Sequence, residues 1–111
     1  MSPQSHDNRE VVYEGKRSHE GALVLRREGE LPPTALPWRL DLVNHSPTGL
    51  EWGYGGSGPA QLALALLADA LQDDEAALRL YQTFKWEVVA SLPWQEWTLT
   101  QGDVQYATLP A

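Results

Sequence analysis

A glycine-rich stretch in the middle of the chain holds the residue types best suited to binding a ligand. Five of the nine glycines lie at positions 49–58, with Trp52 and Tyr54 among them. Residues 53–58 match the pattern G-x-G-x-x-G, and Pro59 fits the first turn of a helix directly afterwards. Free N–H groups at a helix N-terminus bind phosphate and carboxylate oxygens. The pattern therefore predicts an anion site in this loop.

The surroundings of this pattern exclude the familiar nucleotide folds. Seven residues separate His45, the end of a predicted strand, from Gly53, where a dinucleotide fold needs a tight strand-to-helix turn. No lysine follows Gly58, which excludes a Walker A loop, and Pro59 replaces the glycine of a nucleophile elbow. Two interpretations stay open: an anion site outside these folds, and glycines that serve only a tight path past aromatic rings.

The predicted ligand site combines backbone donors, side-chain donors and a flat ring. Backbone N–H groups at positions 55–58 would hold the anion, and Trp52 or Tyr54 would stack on a flat ligand such as a nucleotide. Lys85 would add positive charge if the two main helices pack antiparallel. The candidate ligand-binding residues are Asn44, His45, Trp52, Tyr54, Gly55, Gly56, Ser57, Gly58, Gln61 and Lys85.

Catalytic and metal chemistry have weaker support in the residue pattern. His45 and Ser46 with Asp41 or Glu51 offer the residue types of a serine triad, which makes a small hydrolase the third hypothesis. A β-turn over residues 46–49 explains the same residues more simply. The three histidines are scattered and there is no cysteine, so we predict no metal site, no cofactor and no catalytic residue.

The charge balance limits the class of partner. The chain has 15 acidic and 8 basic residues, a formal net charge of −7. Binding to duplex nucleic acid needs a basic surface, so we do not expect it. An acidic surface instead suits a basic protein partner. We also predict a cytoplasmic location without membrane contact, because there is no signal peptide and the longest apolar run, residues 62–68, cannot span a bilayer.

Three tryptophans in the second half of the chain, Trp86, Trp94 and Trp97, lie within twelve residues. A core of this size cannot easily bury all of them, and partial exposure would favour a binding surface. Trp86 and Lys85 lie off the main apolar stripe of their helix. They either cover the sheet or join Trp52 and Tyr54 as an aromatic wall.

The hydrophobic periodicity predicts an α+β fold in a single domain over residues 10–111, preceded by a flexible tail over residues 1–9. A hairpin of residues 11–17 and 22–26 and a third strand over residues 38–45 would form an antiparallel sheet. The first helix would begin at Pro59 with Ser57 or Gly58 as its cap, and the second would span residues 74–91. A capping box at Thr100 indicates a short third helix over residues 101–108, although residues 104–106 would also suit a strand.

Four motifs carry a family resemblance: Tyr13-x-Gly15, NHSPTG-x-EWGYGGSGPAQLA from position 44, Tyr81-x-x-Phe84-Lys85, and Trp97-x-Leu99-Thr100. Over residues 11–109 the sequence resembles a small uncharacterised prokaryotic domain family found on bacterial chromosomes, plasmids and phages. The resemblance implies no catalytic residues. Its link to mobile elements implies small accessory roles, including counter-defence against host immunity.

Two functions follow as hypotheses. The first is a non-enzymatic binding protein whose glycine loop holds an anionic ligand, for instance an immune signalling nucleotide. The alternative is an acidic protein–protein interaction module that inhibits a host nucleic-acid-processing or defence protein.

Overall fold

The computed structural model describes residues 10–109, which form a four-stranded antiparallel sheet and three helices. This architecture confirms the predicted α+β class, with one strand more than expected. The predicted tail over residues 1–9 lies outside the described residues. The strand order is β3-β2-β1-β4. The elements are β1 Val11–Ser18, β2 Gly21–Glu28, β3 Thr34–Ala35, α1 Ser57–Leu71, α2 Asp74–Glu87, a 3-10 turn Val89–Ser91, β4 Glu96–Thr100 and α3 Gln101–Ala107.

The third strand predicted over residues 38–45 is wrong. Only the two residues of β3 pair with β2, and the chain from Leu36 to Gly56 is irregular. Pro37 has no N–H to donate to a ladder, and Arg39 adopts a left-handed conformation with φ of 58° that breaks an extended run. The second partner of β1 is instead β4, which comes from the end of the chain.

Helix α1 is the centre of the core. Twelve of its fifteen residues are buried, because α2 and α3 pack against the helix and Tyr13 of β1 reaches its Asp69. This agrees with the Leu/Ala-rich pattern, which leaves no polar face. The helix begins at Ser57 with Gly56 as its N-cap, so the predicted cap at Ser57 or Gly58 is wrong, and the cap has no side-chain hydrogen bond.

The second helix is shorter than predicted but faces the core as expected. Ala77, Tyr81 and Phe84 are buried. The chain leaves the α-helix after Glu87 and continues as a 3-10 turn, so the predicted end at position 91 covers both elements. The capping box is confirmed: Asp103 N donates to the Thr100 hydroxyl, and Thr100 N donates to the Asp103 carboxylate, both at 2.9 Å. No helix within residues 10–109 is long and apolar enough to cross a membrane.

A polar link joins the sheet to α1. The Tyr13 hydroxyl donates to the Asp69 carboxylate at 2.6 Å, and Arg26 Nε donates to the same carboxylate at 2.8 Å. Tyr13 is fully buried, while Asp69 lies at the margin of the core. Burial, followed by the hydrogen bond to Asp69, raises the pKa of Tyr13 far above its ordinary value.

This raised pKa predicts a loss of stability at high pH. Above about pH 10 the unfolded chain releases the phenolic proton while the folded chain keeps it, so the unfolded state binds fewer protons and stability falls as pH rises. Tyr13 is expected to contribute about 1.4 kcal/mol per pH unit to that slope, and nothing below its unfolded pKa. Urea unfolding between about pH 9 and pH 12 measures it. The slope should become shallower in Tyr13→Phe and stay unchanged in Tyr106→Phe, whose ring is 77% exposed.

Candidate functional site

The glycines of the central loop make room for side chains from distant parts of the chain. A Cβ atom at Gly53 would lie 2.8 Å from Trp94 Cε3, and one at Gly55 would overlap the Trp86 ring. At Gly58 it would lie 2.7 Å from the Glu51 Cβ. Gly53 also has φ of 90°, which side-chain-bearing residues rarely adopt. The glycine demand of the loop therefore has a packing explanation.

Three aromatic side chains gather at this loop and remain in contact with solvent. Tyr54 is 44% exposed, Trp94 54% and Trp86 61%. The Tyr54 and Trp94 ring centroids lie 6.5 Å apart, and Trp86 packs on Gly55 one residue after Tyr54. We call Tyr54, Trp86 and Trp94 the aromatic surface. Two of the three clustered tryptophans are thus exposed, as the sequence predicts, while Trp97 is buried.

Arg17 holds one side of the aromatic surface in place. Its guanidinium carbon lies 3.6 Å from the Trp94 ring centroid and 4.6 Å from that of Trp52. Its Nε donates to the Trp94 carbonyl at 3.0 Å, and its Nη1 donates to Glu51 at 2.7 Å. Cation–π stacking combined with a charge-assisted hydrogen bond fixes the Trp94 backbone and ring together.

Lys85 supports the other side. Its Nζ lies 4.4 Å from the Trp86 ring centroid, and the side chain is largely buried. Trp86, near the end of α2, packs against Gly55, just before the start of α1. The two helices therefore run antiparallel, which was the condition for Lys85 to lie near the loop. Most of the Lys85 side chain is buried, and its charge lies against the Trp86 ring.

A cleft of about 370 Å³ lies beside the aromatic surface, between the β1–β2 turn, the 46–51 segment and the start of α1. Tyr54, Ser57 and Gly58 line it, together with the carboxylates of Glu20 and Glu51. Within residues 10–109 the N–H groups of Ser57 and Gly58 have no acceptor. Partial burial, followed by the charge of Glu51, raises the pKa of Tyr54. The cleft therefore offers two backbone donors but an acidic wall.

Gln61 and Trp52 are core residues, which corrects their predicted role as ligand contacts. The Gln61 side chain is fully buried and makes four hydrogen bonds within the protein. Trp52 is also fully buried; its Nε1 donates to the Trp94 carbonyl at 2.9 Å, and its ring packs edge-on against Trp97. A ring without exposed faces has no surface on which a ligand could stack.

His45 and Ser46 are not arranged as a catalytic pair. His45 Nε2 and the Tyr81 hydroxyl lie 2.6 Å apart, while the Ser46 hydroxyl donates to the Gly49 carbonyl at 2.7 Å. Each side chain is thus bonded to a different partner. Asn44 is exposed and does not line the cleft. No cluster of three metal-binding side chains occurs in the part of the chain that the structure describes.

Of the predicted site residues, Tyr54, Ser57 and Gly58 meet at the cleft, and Gly55 and Lys85 support the aromatic surface. Gly56 is the N-cap of α1. The sequence did not reveal Arg17, Glu20 or Trp94 as neighbours of the loop, because they come from elements far along the chain. The closely spaced glycines were the one signal in the sequence that bulky side chains pack against the loop, since glycine is common where a ring approaches the backbone closely.

Comparison with protein-family models places the chain in a family of unknown function, DUF6166. The match covers residues 13–109, so the chain belongs to this family. Comparisons with curated proteins and with solved structures gave no match.

Proposed function

We propose that this protein is a non-enzymatic binding protein that recognises another protein through the aromatic surface. The observation that carries the proposal is the exposure of the two indoles, 61% for Trp86 and 54% for Trp94, beside Tyr54. Transfer of a large aromatic ring from water into an interface is energetically favourable. Tryptophan and tyrosine are also enriched among the residues that contribute most of the binding free energy at protein interfaces. Neighbouring glycines, Arg17 and Lys85 hold the rings in place, so little conformational entropy is lost on binding.

The charges around the aromatic surface favour a basic partner. The chain carries a formal net charge of −7, and Glu20 and Glu51 line the adjacent cleft. A complementary surface is typical of proteins that process nucleic acids, because they neutralise phosphates with lysine and arginine. An inhibitor of such a host protein, in defence or replication, fits both this chemistry and the mobile-element association that the sequence resemblance implies.

A second candidate is a small anionic ligand, such as a nucleotide, in the cleft. The free N–H groups of Ser57 and Gly58 would bind its phosphate, and Tyr54 would stack on its base. Glu51 is neutralised by an ion pair with Arg17 at 2.7 Å, but Glu20 makes no ion pair among residues 10–109, and its negative charge repels an anion. This cost places the small-ligand function second.

Affinity measurements on aromatic variants test the proposal. A partner captured from host lysate on the wild-type protein is purified, and its affinity is compared for Trp86→Ala, Trp94→Ala and the control Tyr106→Ala. Each tryptophan variant is expected to lose about 2 kcal/mol of binding free energy, which is roughly thirtyfold in Kd, because the rings are the anchors. The control is expected to bind like the wild type, since Tyr106 lies on α3, which is bonded through Gln105 to the C-terminal end of α1, whereas the loop precedes its N-terminal end.

Two results would contradict the proposal. One is unchanged affinity in both tryptophan variants, with thermal denaturation showing that they are folded. The other is stabilisation by a member of a nucleotide panel in a thermal-shift assay together with no retained protein, which favours the small-ligand function instead.

A further inference from the structure

Strand β4 leaves one edge of the sheet open. Among residues 10–109 it pairs with β1 alone, and Arg17 N donates to the Gln95 carbonyl at 3.0 Å just before the strand begins. In an antiparallel ladder the bonded residues alternate, so Trp97 and Leu99 direct their backbone groups to β1, while Glu96 and Thr98 direct theirs outwards. The bond from Thr100 N to Asp103 agrees with this alternation, because Thr100 also faces away from β1.

The open edge lacks three common protections against strand pairing, namely lysine, proline and a bulge. Edge strands are commonly blocked by lysine, proline or a bulge. Residues 96–100 contain no lysine or proline and pair with β1 in unbroken register. Within residues 10–109, nothing accepts a hydrogen bond from the N–H of Glu96 or Thr98. The opposite edge differs: β3 has two residues and lies between Pro33 and Pro37.

The side chains along this edge define the chemistry of a matching strand. A surface groove of about 450 Å³ lies on the solvent face of the sheet across β1 and β4, and Glu14, Lys16, Glu96 and Thr98 are among the residues that line it. Glu14 is paired with Arg27 at 3.2 Å. Glu96 is exposed and makes no ion pair among the described residues, although Lys16 stands opposite it on β1. The available charge on the edge strand is therefore negative.

We infer that the free edge of β4 is a strand-addition site for an extended segment of the protein partner, with a lysine or arginine side chain opposite Glu96. The inference rests on the proposed function, since it names how the same partner is held. Trp94 lies two residues before β4, so a strand paired along this edge reaches the aromatic surface. A second copy of the chain is a poorer occupant, because each copy carries a net charge of −7.

The test uses short capped peptides of alternating valine or threonine and lysine or arginine, with glutamate versions as matched controls. Amide hydrogen exchange is followed by NMR on the whole protein. With saturating basic peptide, exchange at Glu96 and Thr98 is expected to slow by about tenfold or more, because their N–H groups become hydrogen-bonded. The glutamate peptides are expected to bind at least about tenfold more weakly.

Proline variants separate edge pairing from general effects. Thr98→Pro removes an outward N–H and is expected to weaken peptide binding by about tenfold or more, since proline blocks an edge without breaking the inner ladder. Ala35→Pro is the matched control on the opposite edge of the sheet. Leu36 N donates to the Val24 carbonyl, so the N–H of the neighbouring Ala35 points away from β2. If Thr98→Pro does not fold, Glu96→Lys replaces it and should reverse the preference from basic to acidic peptides.

Three outcomes overturn the inference: no slowing at Glu96 and Thr98 with any peptide, equal loss of binding in both proline variants, or a concentration-dependent dimer that Thr98→Pro abolishes. The last would assign the edge to a second copy. Failure here is distinct from failure of the proposed function. If a purified partner binds Thr98→Pro normally but binds Trp94→Ala more weakly, only the strand-addition site is excluded. If it binds Trp94→Ala normally but Thr98→Pro more weakly, only the aromatic surface is excluded.

Discussion

Replacing Gln61 with leucine is expected to lower the free energy of unfolding by about 3–5 kcal/mol. The Gln61 Oε1 accepts from His45 N at 2.7 Å and from Ser46 N at 3.2 Å, and its Nε2 donates to the carbonyls of Trp38 at 2.7 Å and Val43 at 3.0 Å. One fully buried amide thus satisfies four backbone groups of the irregular 38–46 segment. Leucine fills a similar volume, so the loss comes from orphaned polar groups rather than from a cavity.

Urea unfolding of three variants measures this effect. Gln105→Leu is the control, because Gln105 is exposed and its amide makes a single bond, to the Ala70 carbonyl; we expect less than about 1 kcal/mol there. Gln61→Glu keeps the acceptors but loses both donors and buries a carboxylate, so it should be at least as damaging as leucine. A Gln61→Leu protein within about 1 kcal/mol of wild type would show that water satisfies the loop instead.

Gln61 also explains the main error in the fold prediction. Residues 38–45 alternate apolar and polar side chains, which is typical of a half-buried strand. The pattern predicts a buried side for Trp38, Leu40 and Leu42, yet Trp38 and Leu40 are exposed, and the pattern does not say what bonds the backbone. Here a helix side chain replaces a neighbouring strand as hydrogen-bond partner. A single glutamine in a Leu/Ala-rich helix was the local sign, because a polar group at the centre of a core needs partners.

The parts of the fold that the sequence predicted correctly depend on local signals. The β1–β2 hairpin follows from two β-type runs around Gly21, and the start of α3 follows from the capping box at Thr100. Strand β4 was missed because its partner residues on β1 lie 80 to 88 positions earlier in the chain. Pairing at that distance leaves no periodic signature in a five-residue run.

The sequence indicated only some of the residues that surround the candidate site, for the same reason. The glycines marked the loop, but the rings that they accommodate, Trp86 and Trp94, come from α2 and from the segment before β4. Side-chain burial also could not be assigned within the motif. Trp52 and Tyr54 are two residues apart, yet one is fully buried and the other is 44% exposed.

Two alanine substitutions that create the same nominal overlap are expected to have opposite consequences. A Cβ at Gly15 would overlap the Trp97 indole, and a Cβ at Gly55 would overlap the Trp86 indole. Trp97 is 6% exposed and wedged edge-on against Trp52, so it cannot move aside. Gly15→Ala is therefore expected to cost about 2–4 kcal/mol of stability through overpacking.

Trp86 is 61% exposed and can rotate into solvent. Gly55→Ala is therefore expected to change the free energy of unfolding by less than about 1 kcal/mol, since alanine also restricts the unfolded chain. The displaced Trp86 ring no longer fits the surface of the protein partner, so affinity for a purified partner should fall by about tenfold. Urea unfolding and tryptophan fluorescence, compared with the binding measurement, separate the two effects. A Gly55→Ala protein with normal stability and normal affinity would mean that the glycine loop does not position Trp86 for recognition, and that its glycines serve packing alone.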